Sequence, residues 1–142
     1  MIVIDASVWV STLRPDEIHH RVSLEWVIAW TSSTRSLSVP AHFPAEITGV
    51  LGRQQVDRHH ILEVLAEILR APPFTIHPIV FALGERAAHV ADGAGIGYVT
   101  RSYVALSEQL HLPHVTWDRE QLERAGRLID VLTPAQALER RM

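Results

Sequence analysis

The chain has 142 residues, 47% hydrophobic and 20% charged, which are values typical of one globular domain. It contains no cysteine, which excludes disulfides, thiolate zinc sites and cysteine nucleophiles. All 13 basic residues are arginine, which excludes Schiff-base, P-loop and other lysine chemistry. The net charge is −3, so nucleic acid could be attracted only by a local patch of arginines.

Short apolar runs alternate with helical spacing along the whole chain. Strands are predicted at residues 2–4, 37–39, 74–77, 113–116 and 128–132. Helices are predicted at 7–13, 18–30, 44–51, 58–70, 78–91, 103–110 and 122–125, and from 134 onward behind the capping residue Thr133. This alternation predicts a three-layer α/β/α sandwich around a short, mainly parallel sheet, in a single domain spanning residues 1–142.

The sequence also predicts where the protein resides. No apolar run reaches the 18 or more residues of a membrane span. The N-terminus has no basic segment before its apolar run, which ends at Asp5, so it does not resemble a signal peptide. We therefore expect a cytoplasmic protein that makes no contact with a membrane.

Three acidic residues lie at positions where parallel sheets usually bind their ligands. Asp5 follows the first strand, Asp118 follows the strand at 113–116, and Glu46 begins the helix after the second strand. Ligands of such sheets bind beyond the carboxyl ends of the strands. Two carboxylates about 4 Å apart repel by roughly 4 kcal/mol. We therefore expect a raised pKa for at least one of them and a hard cation, Mg²⁺ or Mn²⁺, to relieve the repulsion.

Each acid also has an ordinary structural interpretation. Asp5 has the position of a helix N-cap, and Glu46 in a first helical turn favours the helix dipole. Asp118 precedes Gln121 by three residues, the spacing of a capping box. Small hydroxyl residues, Ser7 and Thr116, stand two positions from Asp5 and Asp118.

Three motifs in this order resemble the PIN-domain family, in particular its VapC-like toxins. The opening MIVIDASVWV is similar to the family's first strand and places its first metal-binding aspartate on Asp5. The segment VPAHFPAEITGVL resembles the second motif and places the family glutamate on Glu46. The segment YVALSEQLHLPHVTWDRE resembles the C-terminal motif and places the last acid on Asp118.

The resemblance implies an enzyme and its partners. It implies a Mg²⁺- or Mn²⁺-dependent endoribonuclease that hydrolyses RNA phosphodiesters, with Asp5, Glu46 and Asp118 as both metal ligands and catalytic residues. It further implies the toxin of a type II toxin–antitoxin pair, a small antitoxin protein as partner, and a homodimer. Arg101 and Arg119 adjoin the motif positions and are the candidates for phosphate contacts.

The sequence departs from the family pattern at one position. The family has an aspartate three residues ahead of the motif tyrosine, and here that position is Thr100, ahead of Tyr103. Thr100 has the residue type of an N-cap, which would keep the helix start and lose the charge. Asp92, before the glycine-rich stretch 92–97 predicted as a loop, supplies an acid only if that loop folds back.

Two further hypotheses therefore stand beside the ribonuclease. The first is a catalytically weakened PIN-fold binding protein, because Thr100 replaces a family acid. The second is a phosphatase or phosphoreceiver of similar architecture. A receiver requires a lysine that the chain lacks, and a DxD phosphatase requires an aspartate where Ser7 stands.

Overall fold

The computed structural model describes residues 1–33, 35–70, 73–94 and 98–141. Its strands, in chain order, are β1 (Ile2–Ile4), β2 (Leu37–Pro40), β3 (Phe74–His77), β4 (His114–Val115) and β5 (Val131–Leu132). Its helices are α1 (Ala6–Leu13), α2 (His20–Thr31), α3 (Phe43–Arg53), α4 (Arg58–Arg70), α5 (Phe81–Ala94), α6 (Tyr98–Leu110), α7 (Arg119–Arg124) and α8 (Pro134–Glu139). A 3₁₀ turn, Ala125–Arg127, follows α7.

The five strands form one sheet in the order β3-β2-β1-β4-β5, and every described pair is parallel. Ile2, Val3 and Ile4 of the central strand are each fully buried. Because successive strand residues point to opposite faces, this burial shows that helices cover both faces of the sheet. The predicted α/β fold with a parallel sheet flanked by helices is confirmed.

Helix ends account for most differences from the sequence prediction. Helix α5 continues through Ala94, so residues 92–94 are helical where a loop was predicted, and residues 95–97 lie outside the described part. Helix α6 begins at Tyr98 rather than at Tyr103. Thr133 caps α8 as predicted, in a capping box with Gln136.

The last strand is shorter than predicted. Only Val131 and Leu132 of the predicted 128–132 pair with β4. The backbone N–H groups of Leu128 and Ile129 both donate to the carbonyl oxygen of Ala125, which closes the turn after α7 instead of extending the sheet. Within the described ranges, no helix is long and apolar enough to cross a membrane.

Candidate active site

The strand order brings the three predicted acids to one edge of the sheet. Asp5 directly follows the central strand β1, whose two neighbours are β2 and β4. Glu46 lies in the first turn of α3, which follows β2, and Asp118 follows β4. Since all three strands are parallel, their carboxyl ends meet at this edge. Burial is the largest cause of a raised pKa at Glu46, and the negative charges of Asp5 and Asp118 add to the rise, so both charges act on Glu46.

The carboxylate of Asp5 is buried and held by three side chains. Its Oδ2 accepts hydrogen bonds from Ser7 Oγ at 2.8 Å, Thr116 Oγ1 at 2.8 Å and Gln121 Nε2 at 3.2 Å. Asp5 occupies the N-cap position of α1, but its side chain makes no capping hydrogen bond. The interpretation of Asp5 as a helix cap is therefore wrong, because its oxygen points to the loop after β4.

Two hydroxyls connect Asp5 to the backbone beside Asp118. Ser7 Oγ accepts from the backbone N–H of Trp117 at 3.1 Å, and Thr116 Oγ1 accepts from that of Asp118 at 2.9 Å. Each hydroxyl thus donates to the Asp5 carboxylate and accepts from the loop between β4 and α7. These bridges fix the position of Asp118 relative to Asp5.

Asp118 is a true helix cap, but the predicted capping box is half formed. Its Oδ1 accepts from the backbone N–H of Gln121 at 3.1 Å. The Gln121 side chain does not return to the backbone of Asp118, as a capping box requires. It instead contacts Asp5 and the buried His114.

Glu46 is held at the same edge by α6. The hydroxyl of Tyr103 donates to its Oε2 at 2.7 Å, and His42 Nε2 lies 3.8 Å from the same oxygen. Burial, as the largest cause, raises the pKa of Glu46 from 4.5 to about 6, and the Asp5 and Asp118 charges add to the rise. The expected rise in the pKa of one acid is confirmed, but burial is its largest cause, the Tyr103 hydrogen bond opposes it, and like-charge repulsion is a smaller contribution. Burial also raises the pKa of Tyr103, so its hydroxyl keeps its proton.

This pKa predicts that Glu46→Gln stabilises the metal-free protein at high pH. Because the pKa of Glu46 is higher in the folded than in the unfolded protein, its protonation stabilises the fold. This stabilisation is fully present below about pH 4.5 and is lost as the pH rises through about 6. Glutamine stays neutral and still offers an oxygen to Tyr103. The free energy of unfolding should rise by up to about 2 kcal/mol near pH 8 and stay unchanged near pH 4.5.

Urea denaturation in EDTA at both pH values measures this difference. Glu25→Gln, at an exposed position on α2, is the matched control and should change neither value. An equal effect of Glu46→Gln at both pH values would show that the carboxyl is not destabilised by its surroundings.

A cleft of about 500 Å³ opens beside Glu46, and its lining is mostly apolar. It lies between the start of α3 and the helices α5 and α6, and its polar lining residues are His42, Glu46, Arg101 and Ser102. Ser102 Oγ lies 3.2 Å from His42 Nε2, and burial lowers the pKa of His42. Of the two arginines singled out in the sequence, Arg101 lines this cleft, whereas Arg119 is exposed and pairs with Glu123 at 2.7 Å.

Thr100 is not the helix cap that the sequence suggested. Helix α6 begins two residues earlier, so Thr100 lies inside its first turn. It precedes Tyr103 by three residues and therefore shares its helix face, one turn nearer the N-terminus. Thr100 is half-buried and carries no charge. Asp92 lies in α5, and its side chain is outside the described part of the structure.

The donor set fits a hard divalent cation. Oδ2 of Asp5 receives all of its described hydrogen bonds, which leaves Oδ1 without a donor from any described residue. In the part of the chain that the structure describes, no group of three or more His, Asp or Glu side chains stands in position to hold a metal ion. Mg²⁺ commonly takes only one or two carboxylates and keeps several waters, so the acids present suit it.

Gln121 and Tyr103 are the site residues that the sequence prediction missed. The spacing of Asp118 and Gln121 suggested a local cap, and Tyr103 was identified only as the tyrosine of the family motif, without a contact to Glu46. The predicted residues Asp5, Glu46 and Asp118 all lie at the expected edge of the sheet.

The fold and its acidic edge place the chain among the parallel α/β proteins with a carboxylate site at the centre of the sheet. Residues 2–128 match the PIN domain, and the chain therefore belongs to the PIN-domain family. No curated protein matches its sequence.

Several solved structures share the fold. FitAcB from Neisseria gonorrhoeae superposes with a TM-score of 0.69 at 22% identity, over 95% of this chain and 99% of that one. VapC20 from Mycobacterium tuberculosis, a sarcin-ricin loop cleaving toxin, gives 0.69 at 17% identity over 84% and 91%. A toxin–antitoxin complex from Klebsiella pneumoniae gives 0.67 at 14% identity over 94% and 98%.

Proposed function

We propose that this chain is a divalent-metal-dependent endoribonuclease and the toxin of a type II toxin–antitoxin pair. The observation that carries the proposal is that Asp5, Glu46 and Asp118 follow neighbouring parallel strands at one edge of the sheet, where Ser7 and Thr116 connect the Asp5 carboxylate to the backbone beside Asp118. Membership of the PIN-domain family supports it. So does the similar fold of VapC20, a sarcin-ricin loop cleaving toxin.

Three acidic residues would bind the cation, directly or through water. Asp5 through Oδ1, with Asp118 and Glu46 directly or through water, would hold Mg²⁺ or Mn²⁺. When bound, the ion supplies an oriented, acidified water and neutralises charge on the scissile phosphate. Ser7 and Thr116 keep Oδ2 of Asp5 turned into the protein by donating to it.

The other residues of the site orient and bind. Tyr103 orients Glu46 by its hydrogen bond, and Arg101 brings positive charge to the adjoining cleft, where it can contact a phosphate. No side-chain nucleophile is required, which agrees with a chain that lacks cysteine.

A second candidate function is a PIN-fold binding protein with little or no turnover. The neutral Thr100 at a family acid position favours it, as does the lack, within the described ranges, of three acidic or histidine side chains in position to hold a metal. Both candidates share a fold and an RNA-facing edge. They differ in metal affinity and in rate.

Hydrolysis of a defined RNA by the purified protein, with Mn²⁺ and with EDTA, tests the proposal. We expect cleavage that requires the metal and leaves discrete fragments. RNA binding without cleavage at saturating Mn²⁺ would instead establish the binding protein. Cleavage of equal rate in EDTA would contradict a metal-dependent site.

RNA binding should weaken steeply with salt. The net charge is −3, so attraction must come from local arginines, and each phosphate contact on a single strand contributes a slope of roughly −0.7 to the logarithmic salt dependence. With about three contacts, affinity should fall roughly tenfold or more between about 50 and 200 mM salt. Fluorescence anisotropy in EDTA measures binding without cleavage.

Paired variants locate the contacts. Arg101→Gln, in the cleft, should weaken binding and reduce the slope by about 0.7. Arg70→Gln is the control, because Arg70 ends the helix that leads to the start of β3, at the opposite edge of the sheet. An affinity that does not change with salt would argue against phosphate recognition.

The partner proteins belong to the same proposal. A small antitoxin is supported by the fold shared with a toxin–antitoxin complex, and a homodimer is proposed from the family resemblance alone. Co-expression with any short reading frame found beside this gene, followed by purification, tests the first. Light scattering of the purified chain tests the second.

A further inference from the structure

His114 and Gln121 form a buried polar pair that none of the steps above uses. His114 is 0% exposed in β4, and Gln121 is 1% exposed in α7. His114 Nε2 lies 2.6 Å from Gln121 Oε1. Buried polar groups are costly unless satisfied, so a histidine and a glutamine beside the acids call for a physical reason.

Gln121 is hydrogen-bonded both to Asp5, which follows the central strand β1, and to Asp118, which follows the neighbouring strand β4. Its side-chain Nε2 donates to Oδ2 of Asp5 at 3.2 Å, and its backbone N–H donates to Oδ1 of Asp118 at 3.1 Å. One residue thus links two carboxylates that lie far apart in the sequence. Any movement of Gln121 changes the placement of one acid relative to the other.

The direction of each hydrogen bond follows from the chemistry of the groups. The Asp5 carboxylate can only accept, so the amide nitrogen of Gln121 must face it. The amide oxygen then faces His114, and since that oxygen can only accept, His114 Nε2 must carry the proton. The reversed amide would set its oxygen against the Asp5 carboxylate and its NH₂ against the Nε2 proton, which is unfavourable at both ends.

His114 therefore holds the amide in one orientation. Burial lowers the pKa of His114, which agrees with a neutral ring. With the proton on Nε2, the unprotonated Nδ1 accepts no hydrogen bond from the described residues. The ring also stacks near Tyr103, with centroids 6.0 Å apart, which restricts its rotation.

We propose that Gln121 is a positioning residue, held by His114, which sets Asp5 and Asp118 in the mutual placement that binds the metal ion. This inference rests on the proposed function, because it concerns the same acids. Gln121 adds a third donor to Oδ2 of Asp5 and so keeps Oδ1 for the cation. Mutation of a residue that hydrogen-bonds to a metal-ligating carboxylate commonly weakens metal affinity by about 10- to 100-fold.

Titration calorimetry with Mn²⁺ alone, in the absence of RNA, tests the proposal on the full chain. Gln121→Met keeps the length of the side chain and removes the amide oxygen and the amide nitrogen. Mn²⁺ affinity should fall about 10- to 100-fold. In cleavage assays at saturating metal, kcat calculated from the concentration of folded protein should fall while KM for RNA stays constant, whereas a loss of folded protein alone would leave this kcat unchanged.

Two further variants separate positioning from simple destabilisation. His114→Phe keeps the ring and removes the Nε2 donor, so the amide can reverse, and affinity should fall roughly three- to tenfold. The double variant should be no weaker than Gln121→Met, because His114 acts only through Gln121. Ser107→Ala is the control, since it removes a buried hydrogen bond to Leu112, which precedes β4, whereas Asp118 follows that strand.

The outcomes distinguish this inference from the function on which it depends. If Asp5→Asn loses Mn²⁺ binding and Gln121→Met keeps it, the positioning role is wrong and the metal site stands. If Asp5→Asn binds Mn²⁺ as the unaltered chain does, the metal site itself is wrong. Should Gln121→Met not fold, unchanged Mn²⁺ affinity in His114→Phe overturns the positioning role on its own.

Discussion

Asp5→Asn is expected to reduce Mn²⁺-dependent RNA cleavage at least about a hundredfold without unfolding the protein. The change removes one negative charge from the centre of the acid group, and loss of metal stabilisation is worth several kcal/mol in the transition state. The asparagine oxygen can still accept from Ser7, Thr116 and Gln121, so the loop after β4 keeps its anchor. Circular dichroism and the midpoint of thermal unfolding report the intact fold.

A distant aspartate supplies the matched control. Asp130 is exposed, pairs with Arg140 at 2.9 Å and precedes β5, at the opposite edge of the sheet. Asp130→Asn should cleave RNA at the unaltered rate. Persistent cleavage by Asp5→Asn at that same rate would place the activity elsewhere or in a contaminant.

Thr100→Asp is expected to tighten Mn²⁺ binding about tenfold and to speed any RNA cleavage. A carboxylate attracts a divalent ion far more strongly than a neutral hydroxyl, and tenfold corresponds to about 1.4 kcal/mol. The position lies in the first turn of α6, on the face of Tyr103, whose hydroxyl contacts Glu46. An acid in a first helical turn is also favourable to the helix, so the fold should tolerate it.

Thr100→Asn has nearly the same size without the charge and should leave Mn²⁺ affinity unchanged. Calorimetric titration of the three proteins gives the comparison directly. If the natural chain binds Mn²⁺ as tightly as Thr100→Asp and cleaves RNA as fast, Thr100 is not the position of a missing ligand. In that case the binding-protein hypothesis loses its main support.

The strands were predictable because their signal is local. Buried parallel strands form short apolar runs between helices, and each of the five predicted runs contains a strand. The boundary between α5 and α6 was not predictable in this way. Glycines at 93, 95 and 97 indicated a loop, but α5 packs against α6 and stays helical through Ala94. Packing outweighed the weak helix propensity of glycine there.

The placement of Asp5, Glu46 and Asp118 at one edge of the sheet was predictable, but their hydrogen-bond partners were not. Asp5, Glu46 and Asp118 follow from strand order and from the family motifs. The role of Gln121 depends on a hydrogen bond to a residue 116 positions away, which no local pattern contains. The backbone N–H of Gln121 donates to Asp118, as the predicted helix cap requires. That cap already explained the presence of Gln121, so nothing in the sequence indicated that its side chain has distant partners.

The hydrogen bonds of Asp5 also determine when the acid group can form during synthesis. Two of its three donors, Thr116 and Gln121, come 111 and 116 residues later in the chain. Contacts of such separation form only after the intervening chain has been made and folded. A ribosome that is still synthesising the first hundred or so residues therefore carries Asp5 without its partners. The acid group around Asp5 can therefore be completed only after Gln121 has been synthesised, although Asp5 itself is among the first residues made.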